Sequence, residues 1–121
     1  MRDAAILVVT NVPDRSVAEA MARALLEDRL AACVNIGGSV DSLYHWQGRI
    51  ETAAETPVLV KTRTALYSYV EEAIRKIHPY DTPEVIAIPV AAIDARYLAW
   101  LEGETRRPPD GRVASSDGAP R

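Results

Sequence analysis

Short apolar runs alternate with amphipathic stretches along this chain. Ala4–Thr10 (AAILVVT) is apolar at consecutive positions and rich in β-branched residues, the pattern of a strand buried on both faces. Asn11-Val12-Pro13-Asp14 breaks the run. Val17, Met21 and Leu25 then recur every fourth residue, with Ala24 beside them, which makes one apolar helical face. Asp14 or Ser16 is the expected cap, Ser16 and Glu19 having capping-box spacing, and the helix should end near Arg29. Leu30–Ile36 (LAACVNI) is a second run of strand character, and Gly37-Gly38 interrupts it with a bulge or sharp bend.

From Ser39 two extended arms flank Gln47-Gly48, which predicts a β-hairpin with a two-residue turn. That turn places His45 opposite Ile50 and Tyr44 opposite Glu51. Pro57 cannot donate to a ladder, so it marks an edge or a bulge in the second arm. Thr64 is the expected cap of a second helix. Leu66, Val70, Ile74 and Ile77 form its apolar face; Glu71, Glu72, Arg75 and Lys76 form its polar one. His78-Pro79 ends that helix, and a polar loop leads into a buried strand over Val85–Val90. Asp94 caps a short last helix carrying Tyr97, Leu98, Trp100 and Leu101.

The order strand, helix, strand, strand, helix, strand, helix predicts an α/β (α+β) fold. It is a ferredoxin-like βαββαβ sandwich with a long central hairpin and a short C-terminal helix. Residues 1–104 are expected to form one domain. Residues 105–121, rich in Pro, Gly, Ser and Arg, are expected to be a disordered tail. Each hairpin arm spans about 12 residues against a usual ~5–6. Such a hairpin overhangs a domain this small and exposes strand edges that another chain must cover, so an oligomer is expected.

Composition adds little beyond this frame. Hydrophobic residues at 48% and charged residues at 26% are the globular norm. A net charge of −3 without a basic stripe argues against nucleic acid. No apolar run approaches the roughly 18 residues of a membrane helix, and no signal peptide is apparent. With Cys33 as the single cysteine, the cytoplasm is the expected compartment. Phe is absent, and all Tyr and Trp residues lie from Tyr44 onward. The catalytic patterns G-x-S-x-G, H-E-x-x-H, C-x-x-C and the P-loop are missing, so an enzyme is not expected.

Several stretches together carry a specific resemblance. They are TNVPD, LAACVNI followed by SLYHWQG, ETAAETPVLVKT, HPYDTPEVIAIPV and YLAWL. In this order and spacing, over about residues 4–103, the chain resembles the CutA divalent-cation-tolerance family. The resemblance implies a homotrimer with interlocked hairpins, a fold shared with PII-like signalling proteins, and a role in tolerance to divalent cations, copper above all. No cofactor is required by it; copper or another divalent cation is the implied ligand. His78 and Cys33 are the candidate metal residues, imidazole and thiolate both suiting copper. A copper ligand set proposed within the family also uses a Cys and a second His, at positions that are Val9 and Ile77 here, so only His78 matches it. His45, Asp81 and Glu84 are further candidate contributors. Tyr44, Trp46, Glu55, Lys61, Tyr80 and Glu84 fall on motif positions and are expected to line a cleft between subunits. Two alternatives follow: a PII-like sensor binding an anion or nucleotide near Lys61, and an enzyme using His78 with Glu55 and Lys61.

Overall fold

A computed structural model describes residues 3–109. The elements are β1 (Ala5–Val12), α1 (Arg15–Glu27), β2 (Cys33–Ile36), β3 (Val40–Trp46), β4 (Arg49–Arg63), α2 (Tyr67–Ile77), β5 (Ile86–Pro89) and α3 (Ala95–Glu104). A 3₁₀ turn at Thr64–Leu66 precedes α2. Every strand pair is antiparallel. The sheet order is β2-β4-β1-β5, with β3 pairing the far part of β4. With β2 and β3 counted as one interrupted strand, this is the expected βαββαβ arrangement.

Alternation along the strands builds one core. Ile6, Val8 and Val12 of β1 and Val58 and Val60 of β4 pack against Ala18, Met21 and Leu25 of α1 and Val70, Ala73 and Ile74 of α2. The intervening residues point to the other face of the sheet. There Leu7, Val9 and Leu59 are only half-buried. The expected buried strand near the end is the shorter β5, and it is exposed along its whole length, with Ile86 49% and Ile88 44% accessible. It is the edge strand of the sheet, with β1 on one side only.

β4 does two jobs. Its 15 residues span about 50 Å. Residues 56–63 pair with β1, and residues 49–55 pair only with β3. The hairpin arm therefore projects past the core, with Leu43 68% and Ile50 70% exposed. Gln47 (φ 50°) and Gly48 (φ 79°) both take positive φ, as a type I′ turn requires. The register follows: His45 faces Ile50 and Tyr44 faces Glu51.

Pro57 is not at an edge. β4 lies between β1 and β2, and Pro57 faces Asn11. Between the Ile36–Val58 and Val40–Glu55 pairs, three residues on one strand oppose two on the other, so the bulge lies at Gly37-Gly38-Ser39. The Pro57 carbonyl accepts from Gly37 N–H at 3.0 Å. A residue's N and O point to the same side of an antiparallel strand, so the donor that Pro57 lacks would have pointed into that bulge. No ladder bond to β1 is lost.

The caps differ in one place. Asp14 caps α1, accepting from Val17 N–H at 3.0 Å, and Asp94 caps α3 through Tyr97 N–H at 3.0 Å. Thr64 does not cap α2. Its hydroxyl accepts from Ala4 N–H and donates to Asp3, and Asp3 accepts from Ala65 N–H. Burial pushes the Asp3 carboxyl up, but the hydrogen bonds from Ala65, Arg63 and Thr64 and the Arg63 charge outweigh it and hold the group below its ordinary 3.8. The domain also runs past the expected boundary. Thr105 is 3% exposed, its hydroxyl donates to Leu101 O, and Arg63 donates to its side chain and carbonyl. Residues 110–121 of the expected tail lie outside the described residues.

Candidate functional site

The site forms where β1 outruns β5. Pairing with β5 stops at Val9, yet β1 continues to Val12. Because the Pro57 carbonyl turns to Gly37, the Asn11 carbonyl faces away from β4, on the side β5 has vacated. His78, at the C-terminus of α2, fills that place. Its Nε2 lies 2.7 Å from Asn11 O, and its Nδ1 accepts from Tyr80 N–H at 3.2 Å. The second bond fixes the tautomer: the proton sits on Nε2, which donates to Asn11. His78 is 6% exposed. Its ring stacks at a tilt on Tyr80, with centroids 4.6 Å apart.

His78 thereby aims the loop that follows it. Tyr80 O–H donates to Glu55 on β4 at 3.0 Å. Burial, then the hydrogen bond to Glu55 and its charge, with Tyr44 adding, push the Tyr80 hydroxyl above its ordinary 10.0. Asn11 Nδ2 donates to Glu84 at 2.9 Å, pinning the other end of the loop. A groove of about 750 Å³ opens between this loop and the hairpin. Tyr44, His45 and Trp46 line it from the hairpin, and Tyr80, Asp81 and Glu84 line it from the loop. Glu55, Asp81 and Glu84 give the groove its charge; no Lys or Arg is among its lining residues.

Residues 6–104 match the family described as CutA1 divalent ion tolerance protein. The chain belongs to the CutA family. It is 42% identical over 99 residues to the divalent-cation tolerance protein CutA of Thermus thermophilus, covering 82% of this chain and 96% of that one. It is 39% identical over 101 residues to the chloroplastic protein CutA 1 of Oryza sativa, covering 84% of this chain but 57% of the rice protein. The chain thus spans little more than half of that plant relative. Among solved structures, CutA1 from the psychrotrophic bacterium Shewanella sp. SIB1 superposes with a TM-score of 0.84 at 36% identity, covering 88% of this chain and 100% of that one.

Within this CutA fold the expected cleft residues separate. Tyr44, Trp46, Glu55, Tyr80 and Glu84 meet in the groove. Lys61 does not. It lies six residues from Glu55 on the same strand, about 20 Å away along it, opposite Leu7 and Cys33. Cys33 stands level with Lys61 and Leu7, whereas the carbonyl that holds His78 belongs to Asn11, four residues further along β1 and about 13 Å away. The structure therefore does not bring Cys33 and His78 together. Both His78 ring nitrogens are already engaged, so the imidazole acts as a brace for the loop. The expected His78, Glu55 and Lys61 cluster is not assembled either. Asn11 is the residue that sequence reasoning missed. It opens the Asn-Val-Pro-Asp stretch that breaks the first apolar run, so it reads as loop, whereas β1 continues to Val12 and the pairing of Asn11 to His78 and Glu84 is long-range.

Proposed function

We propose that this CutA protein works as a homotrimer in divalent-cation tolerance, with the groove beside the hairpin as its working site. The observation that carries this reading is the groove's charge. Three carboxylates and no Lys or Arg line it, so it attracts cations and repels anions. The same observation ranks a nucleotide or other anion lower, because Lys61, the cation that reading relied on, stands away from the groove. Assembly is supported by the projecting hairpin and the bare β5, which leave Leu43, Ile50, Ile86 and Ile88 in water.

Among the described residues no three His, Cys, Asp or Glu side chains gather closely enough to hold a metal ion. In this reading a tight copper or zinc site draws groups from a neighbouring subunit as well. Native mass spectrometry with and without copper tests this reading, together with the copper sensitivity of a deletion strain complemented by wild type or by Glu55→Gln/Glu84→Gln. The expected result is a trimer, and tolerance restored by wild type better than by the double variant. A monomer, or equal complementation by both, would overturn it.

A further inference from the structure

The groove combines two features that a metal-ion site does not need together. Three aromatic side chains border it, Tyr44, Trp46 and Tyr80, and they are 43%, 50% and 38% exposed in the isolated chain. Aromatic faces attract cations, more strongly where water is excluded, and alkylated ammonium groups are recognised in this way. The carboxylates of Glu55, Asp81 and Glu84 come from β4 and from both ends of the Tyr80–Glu84 loop, and they do not converge on a point. Divalent metal ions require several oxygens at about 2.0–2.6 Å from one centre. Carboxylates dispersed along a groove suit a ligand whose positive charges are also dispersed.

The two bound carboxylates keep capacity for such a ligand. Among the described residues Glu55 accepts one hydrogen bond, from Tyr80, and Glu84 accepts one, from Asn11. An ionised carboxylate offers about four lone-pair sites, so each retains acceptors for an N–H donor. Tyr80 and Asn11 also hold the carboxylates in place beforehand, which lowers the ordering cost of binding. A volume of about 750 Å³ is in the range of small-molecule sites.

We infer that the groove binds an aliphatic polyamine, its ammonium groups paired with Glu55, Asp81 and Glu84 and its methylene segments laid on Tyr44, Trp46 and Tyr80. The inference rests on the reading of this groove as the working site and names a ligand class for it. Charged amines would donate to the carboxylates, and the aromatic faces would prefer the alkylammonium over a hydrated metal ion of equal charge.

The test is calorimetric titration of the full-length protein with spermidine at low ionic strength, repeated with magnesium chloride. Trp46 emission is followed in a Trp100→Phe background, because Trp46 lines the groove and Trp100 lies on α3. Saturable spermidine binding that shifts Trp46 emission is expected, at least tenfold tighter than magnesium. Glu55→Gln/Glu84→Gln and, separately, Trp46→Leu should each weaken it at least tenfold. Glu27→Gln, an exposed change on α1, should leave it unaltered. Equal affinity for magnesium, or binding indifferent to Trp46→Leu, would reduce the effect to general attraction and overturn the inference. If spermidine fails while copper or zinc binds in a Glu55- and Glu84-dependent way, the polyamine inference falls and the groove survives. If neither binds, both fall.

Discussion

Thr10 is fully buried on the helix-facing side of β1, and its hydroxyl has no hydrogen-bond partner among the described residues. Thr62, on the same face, shows the usual remedy, donating to Leu30 O at 2.7 Å. An unsatisfied buried hydroxyl costs about 1–3 kcal/mol, and valine has the same shape without it. Thr10→Val should therefore raise stability by about 1 kcal/mol in chemical denaturation. A loss of similar size would mean that an ordered water satisfies the hydroxyl. His78 is the opposite case at the same scale, a buried polar ring with both nitrogens satisfied. Its type and its place at a helix end were legible in the sequence. Its job was not, because a metal ligand and a loop brace look identical until the partners of both nitrogens are known.

Between elements, the β2–β3 bulge packs closely on β4. A Cβ added at Gly37 would lie 2.9 Å from Pro57 Cγ, whereas one added at Gly38 meets nothing within 4 Å. Gly37→Ala should cost about 1–3 kcal/mol by overpacking, and Gly38→Ala should cost much less. The double variant Gly37→Ala/Pro57→Ala should recover part of the loss, since the clash is with the proline ring. Equal effects at the two glycines would show that the bulge yields freely. The Gly-Gly signal for a bulge could be read from the chain. That Pro57 sits opposite it, inside a sheet, could not, because a proline reads as an edge marker until its missing donor is seen to face the break.

For the whole molecule, the imbalance is between a well-filled core and a bare periphery. Leu43 and Ile50 share one face of the hairpin, being diagonal neighbours in its register, and both are about 70% exposed. Burying such side chains stabilises by about 1.5–3 kcal/mol each, so they are strong candidates for the seam of the proposed trimer. Leu43→Asp with Ile50→Asp should leave the circular dichroism spectrum of the subunit unchanged and convert the assembly to monomer in light scattering. An unaltered trimer would place the seam elsewhere. Folding linked to association should also make the melting temperature fall on dilution.

The sequence by itself determined the element order, the hairpin turn, its register and the family. Each of these is written in local periodicity, turn chemistry or the spacing of motifs, and needs no knowledge of distant neighbours. It also carried the identities of the groove's aromatic and acidic residues. The tertiary structure decided which of them meet. Glu55 joins Tyr80, and Asn11 joins both Glu84 and His78, because β1 outruns β5 and leaves an edge for the imidazole to cap. Lys61 is excluded because the rise of β4 separates it from Glu55, however close they stand in a motif, and Cys33 because β2 pairs it level with Lys61. The exposure of β5 was likewise decided in three dimensions: an apolar run is buried only where the fold supplies a layer to cover it.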